Sequence, residues 1–141
     1  MNELLFRAIE IATKAHDGQT DKSGMPYIGH IMRVMNAGKT IDEKIVGVLH
    51  DIVEDTEWSF DALLKEGFPI YIVDAVKCVT RLTNDEPYED FIRRIKENSL
   101  ATAVKINDLT DNMDIRRLKE ISDKDVKRLK KYHRAYKFLI E

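Results

Sequence analysis

The sequence predicts an all-α protein, a single compact helical bundle spanning residues 1–141. Apolar residues recur at helical spacing through almost every segment, and glycine and proline punctuate those segments at short intervals. Alternating strand patterns are absent except for the ambiguous apolar run Ile70 to Val73, which reads as helical because the period continues beyond it. A chain of 141 residues with 43% hydrophobic and 34% charged residues is large enough to bury its own core and is unlike a disordered composition. No internal repeat, low-complexity tract or linker divides it.

From Leu4 to Ala15, the positions Leu4, Leu5, Ala8, Ile9, Ile11, Ala12 and Ala15 form one stripe, with Glu10 and Lys14 opposite: a first helix. His16 to Tyr27 carries Gly18, Gly24 and Pro26 and reads as a loop into a second helix over Ile28 to Asn36, ended by Gly38. Asp42 is the expected cap of a third helix running to about Asp55. Ser59 caps a short helix to Glu66, stopped by Gly67, and Pro69 suits the first turn of a helix through Val73, Val76 and Val79. After the break at Asn84 to Pro87 come helices over Tyr88 to Glu97 and Leu100 to Leu118. The last helix starts near Ser122 and lines up Val126, Leu129, His133, Tyr136 and Ile140, which makes His133 a core-edge residue.

A formal net charge of -2 gives no global attraction to nucleic acid or an anionic membrane. The basic stretch Arg116 to Lys137 is interrupted by Glu120, Asp123 and Asp125 and reads as a solvated helix face. The single cysteine, Cys78, excludes an intrachain disulfide and, among apolar neighbours, is expected to be small, buried and unreactive. Charged residues interrupt the first fifteen positions, so no signal peptide is expected there, and no stretch reaches transmembrane length. A cytoplasmic location is the expectation, with no nucleic acid and no membrane among its partners.

Chemistry concentrates in Leu49-His50-Asp51-Ile52-Val53-Glu54-Asp55. At about 100° per residue, Ile45, Leu49, Ile52 and Val53 share an apolar arc while His50, Asp51, Glu54 and Asp55 fall on the other. A solvated polar face is one reading. The other starts from the chain's having only four histidines and from the repulsion of three carboxylates so close together, both of which a divalent cation would satisfy.

The ordered motifs Ala15-His16-Asp17-Gly18-Gln19, Lys22-Ser23-Gly24-Met25-Pro26-Tyr27-Ile28-Gly29-His30, His50-Asp51-Ile52-Val53-Glu54-Asp55-Thr56 and Lys105-Ile106-Asn107-Asp108-Leu109-Thr110-Asp111-Asn112-Met113 resemble the HD-type hydrolase domain of the RelA/SpoT-type alarmone enzymes, in particular the stand-alone small alarmone hydrolases. The resemblance covers roughly residues 8 to 118. It implies an HD-domain helical bundle in which His30, His50, Asp51 and Asp108 hold a divalent metal, manganese by family, with Asp111 a weaker alternative ligand. Two imidazoles and two carboxylates without a thiolate agree with a borderline-to-hard ion.

By the same resemblance, Glu54 and Asp55 orient and deprotonate the attacking water, and Lys22, Ser23 and Asn112 meet the nucleotide and its phosphates. His16 lies near the site without ligating. The implied reaction is removal of the 3′-pyrophosphate from guanosine tetra- or pentaphosphate, or from a related phosphorylated nucleotide. The alternative is a non-catalytic nucleotide-binding or regulatory module. The chain departs from the family at Asp21, where an arginine packs on the purine base, at Leu109 and Asp114, where basic residues are frequent, and at Ile31, where proline is usual. The hydrolytic centre is thus expected intact, with an altered specificity shell.

Overall fold

A computed structural model describes residues 2–141. Its elements are α1 (Asn2–Ala15), α2 (Ile28–Ala37), α3 (Ile41–Leu49), α4 (Ile52–Asp55), α5 (Phe60–Lys65), α6 (Ile70–Val79), α7 (Tyr88–Lys96), α8 (Ser99–Asn112), a 3₁₀ turn (Ile115–Arg117) and α9 (Asp123–Ile140). Helices alone build the fold among the described residues, and the single β-bridge, Thr20 to Pro26, closes the loop before α2. No helix is long and apolar enough to cross a membrane.

The centre of the bundle is α3, which packs on α1, α2, α6 and α8 and buries Ile45, Val46, Gly47, Val48 and Leu49 in succession. Five consecutive buried residues leave the C-terminal half of this helix no face for charge, so polar groups at its end must point into the protein or leave the helix. At Gly47 α2 passes within van der Waals reach: a Cβ there would lie 3.4 Å from the Met35 backbone.

Two boundaries around this helix differ from expectation. Thr40, not Asp42, is the cap, because its extended backbone lets its hydroxyl accept from Glu43 N at 3.1 Å, while Asp42 sits inside the first turn. The helix also does not continue to Asp55. It ends at Leu49, Asp51 adopts φ -106 and ψ 3, and α4 begins as a separate turn. Side chains of neighbouring helical residues diverge by about 100°, and the break frees Asp51 from that constraint beside His50.

Three further differences have local causes. α8 ends at Asn112 rather than Leu118, since the Asp114 carboxylate accepts from Arg116 N at 3.2 Å and starts a new turn. The buried stripe of α9 runs through Ala135 and Leu139, with Leu129, Tyr132 and Tyr136 partly buried, so His133 is exposed instead of lying at the core edge. Ala135 is buried there, and a count of large apolar residues overlooks it. Cys78 is half-buried rather than buried, and burial pushes its thiol up, away from reactivity.

Leu49 is fully buried and fixes the end of α3 just before His50. Leu49→Ala is expected to lower unfolding stability by about 2–5 kcal/mol in denaturant titration. A loss below about 1 kcal/mol would show that α3 is not the packed centre.

Candidate metal centre

Three elements deliver four ionisable side chains to one point. α2 carries His30, the break after α3 carries His50 and Asp51, and α8 carries Asp108. One ligand atom from each lies within 4.8 Å of all the others. Asp108 Oδ1 is 2.9 Å from His30 Nε2 and 3.3 Å from His50 Nε2, and Asp51 Oδ2 is 3.0 Å from His50 Nε2 and 3.9 Å from His30 Nε2. His30, His50 and Asp108 are buried, and Asp51 is half-buried.

Those approaches are not directed hydrogen bonds: Nε2 of His30 and of His50 is buried without a hydrogen-bond partner. The opposite ring nitrogens are engaged, His30 Nδ1 with Asp111 Oδ2 at 2.6 Å and His50 Nδ1 with the Gly47 carbonyl oxygen at 2.6 Å. A carbonyl oxygen can only accept, so His50 Nδ1 donates and the lone pair lies on Nε2, the atom facing the cluster. Two free imidazole nitrogens and two carboxylates converging on one point are a donor set that fits a divalent cation.

The electrostatics express the same need. Burial opposes a charged His50, yet Asp51 and Asp108 outweigh it and raise the imidazole pKa. His30 is likewise raised, against burial, by the neighbouring Asp108 carboxylate and by its hydrogen bond to Asp111. Burial would push Asp108 up, but the charges of Lys105 and His50 hold it well below the usual carboxylate range. The carboxylates demand positive charge, which protons on the imidazoles or a shared cation can provide.

A supporting layer holds these groups in place. Asp111, weighed as an alternative ligand, instead orients His30 and is fixed by Arg33 Nε at 2.7 Å and by Arg117. Burial works against its ionisation, but the bonds from His30 and Arg33 bring it down to about 2. Tyr27 donates its hydroxyl to Asp51 Oδ2, and Lys105 Nζ holds Asp108 Oδ2 at 2.9 Å. His16 is buried beside the centre, bonded through Nδ1 to Gln19 at 2.8 Å, with its ring 5.5 Å from that of Tyr27. Burial lowers its pKa and favours the neutral ring.

The acidic pair divides into unlike halves. Glu54 accepts from the Arg81 backbone N–H at 2.6 Å. The Asp55 carboxylate has no hydrogen-bond partner among the described residues, and burial together with the charges of Asp51 and Glu54 raises it to about 6. A solvent-accessible carboxyl beside the cluster whose pKa is raised in this way has the character of a proton acceptor.

His30 also borders a cleft of about 360 Å³ whose walls include Lys22, Ser23, Asn112, Arg117, Arg128 and Tyr132. The three substrate residues expected from sequence therefore share one wall system. Asn112 spends a donor on Asp108 Oδ1 at 3.1 Å, and the Ser23 hydroxyl donates to Asp21 Oδ1 at 2.7 Å. That same Asp21 oxygen accepts from Ser23 N and Met25 N at 2.9 and 3.0 Å. Asp21 thus builds the turn that presents Lys22 and Ser23, a role the family comparison alone did not suggest. Leu109 is fully buried, where a charged side chain would have no partner.

Sequence reasoning missed Tyr27, Lys105, Asp111 as an orienting group, Arg117, Arg128 and Tyr132. Lys105 alone had a local signal, its spacing of three from Asp108 on one helix. Asp111→Asn should weaken divalent metal binding about 10- to 100-fold in a calorimetric titration, the usual cost of disturbing a group that orients a histidine ligand. Unchanged affinity would show that His30 is held without it.

No protein-family model matches the chain. Curated relatives do. A Mycobacterium leprae protein named Probable GTP pyrophosphokinase is 31% identical over 121 residues, 78% of this chain and 15% of that protein. Proteins named guanosine-3′,5′-bis(diphosphate) 3′-pyrophosphohydrolase match at 38% over 82 residues in Borreliella burgdorferi and at 29% over 122 residues in Aquifex aeolicus, covering 55% and 79% of this chain and 12% and 17% of theirs. The chain therefore spans less than a fifth of these relatives. A solved structure of a metazoan ortholog of SpoT, described as hydrolysing ppGpp and playing a role in starvation responses, superposes with a TM-score of 0.81 at 20% identity over 98% of this chain and 85% of that one. Sequence and fold together show that this chain belongs to the RelA/SpoT-type family, as an HD-type helical domain akin to the hydrolase domain of those enzymes.

Proposed function

We propose that the chain is a metal-dependent phosphohydrolase that removes the 3′-pyrophosphate from guanosine tetra- or pentaphosphate, or from a closely related phosphorylated nucleotide. The observation that carries this reading is the convergence of two unpartnered, buried imidazole nitrogens with two carboxylates beside a cleft that contains basic residues. The names of the bacterial relatives support the substrate class.

In this reading His30, His50, Asp51 and Asp108 hold the metal, with manganese favoured by the family resemblance and compatible with the imidazole and carboxylate donors. When bound, the ion supplies Lewis-acid polarisation of a phosphoryl oxygen and acidifies water. Asp55 accepts the proton of the attacking water. Glu54, pinned to the Arg81 amide, positions that water and not the metal. Lys22 at the mouth of the cleft attracts phosphate charge, and Ser23 and Asn112 keep acceptor oxygens free for donors on the nucleotide.

With added manganese, guanosine tetraphosphate should release pyrophosphate. Phosphate release from 2′- or 3′-monophosphates without any pyrophosphate would overturn the proposed leaving group. Asp55→Asn should retain metal and lower kcat about a hundredfold or more, the size of a lost general base. Glu54→Gln should lose less, because an amide oxygen still accepts from Arg81 N–H. Equal losses in the two variants would assign the proton to the pair and not to Asp55.

A further inference from the structure

The loop between α1 and α2 meets the hydrolytic centre at several places, and one of them is a backbone atom. The loop presents Lys22 and Ser23 to the cleft, and its Tyr27 donates a hydroxyl to Asp51 Oδ2. Gln19 makes the remaining contact: its Nε2 lies 2.9 Å from the backbone carbonyl oxygen of Asp55. A carbonyl oxygen only accepts, so the amide turns its NH2 group to Asp55 and its oxygen to His16. His16 Nδ1, 2.8 Å from that oxygen, is therefore the donor. The bonds run from His16 through Gln19 to Asp55 with every donor direction set.

Two observations make this chain of bonds more than packing. His16 lies just past the end of α1, and its Nε2 is buried without a hydrogen-bond partner among the described residues. An unmet buried polar atom costs about 1–3 kcal/mol, and an apolar ring would fill the same space without that cost. What the imidazole supplies and an apolar ring would not is the Nδ1–H that fixes Gln19. The second observation is how little holds the element at the far end. α4 is a single turn of four residues, Ile52–Asp55, that follows the break at Asp51. So short a helix is not stable by itself, and both its acids are pinned from outside, Glu54 by the Arg81 amide at 2.6 Å and Asp55 by Gln19. The Gln19 backbone also closes its own loop, donating to the His16 carbonyl oxygen at 3.1 Å and accepting from Tyr27 N at 2.9 Å.

We propose that His16 and Gln19 are positioning residues for Asp55, and that they tie the loop presenting Lys22 and Ser23 to the carboxylate that takes the proton of the attacking water. This rests on the hydrolase reading, in which Asp55 is that acceptor. Gln19 acts through the Asp55 carbonyl and not through the reacting atoms: it sets where the residue sits, and so where its carboxylate can reach. A nucleotide seated on the loop and the group that activates water against it are then held in one frame.

The test is Gln19→Glu in the full chain, since a carboxylate still accepts from His16 but cannot donate to the Asp55 carbonyl. Gln19→Met, uncharged and of similar length, carries the test where Gln19→Glu does not fold. With guanosine tetraphosphate and manganese, kcat should fall about tenfold or more, with KM and manganese affinity changed less than about twofold. In the Asp55→Asn background the same substitution should change kcat less than about twofold, because residues that act as a unit are not additive. The same fall in both backgrounds, or a fall that follows lost manganese binding, would reduce Gln19 to a structural role and overturn the proposal. A second readout needs no turnover: amide hydrogen exchange at Asp55 and Thr56, which donate to Asp51 O and Ile52 O, should quicken about tenfold while amides of α3 and α8 keep their rates. Quickened exchange in the variant, with no turnover in wild type, would support the tie to Asp55 and refute the hydrolase reading. Turnover in wild type, with exchange and kinetics unchanged in the variant, would overturn the positioning role alone.

Discussion

Two imidazoles and two carboxylates, packed side by side in a helical core, cannot lie there without compensation, and much of this structure answers to that constraint. Burial penalises each charge, while proximity makes each carboxylate demand a positive partner. The central helix α3 ends at Leu49 so that His50 and Asp51 can both join the cluster. The Gly47 carbonyl, Asp111, Tyr27 and Lys105 each spend a hydrogen bond on orienting one of the four. What this arrangement leaves open is the pair of Nε2 lone pairs facing the carboxylates, and that gap matches a divalent cation in charge and in donor type.

Much of the helical architecture was legible in the sequence because helical period is a local property: α1, α2, α5, α6 and α7 lie close to where apolar spacing and caps such as Ser59 put them. The errors fell where tertiary contacts override local pattern. A continuous helix through His50 was the natural reading of an unbroken apolar arc, and nothing local announces that Asp51 must leave it. The stripe of α9 was misjudged because Ala135, small and apolar, carries little weight in a periodicity count yet faces the bundle.

The four candidate ligands were legible through motif order, since His30, the adjacent pair His50 and Asp51, and Asp108 come from three separate segments that no single local pattern links. Their supports were mostly not legible. Asp111 lies 81 residues from His30 and Tyr27 lies 24 from Asp51, distances at which no helical spacing applies. Asp21, a departure from the family, also has a local role that its sequence position did not announce: three hydrogen bonds commit one of its carboxylate oxygens to the turn, while the residue itself lines the cleft. A residue that shapes the loop also acts through what the loop presents, here Lys22 and Ser23.

The central claim is that the buried cluster exists to hold a metal, and metal content measures it most directly. Elemental analysis of the purified chain after manganese loading and desalting is expected to give one divalent ion per chain in wild type and none in His50→Ala or Asp108→Ala, with the helical circular dichroism spectrum retained. The same stoichiometry in wild type and both variants would contradict the account, because the ion would then be bound elsewhere and the unpartnered imidazole nitrogens would need another explanation.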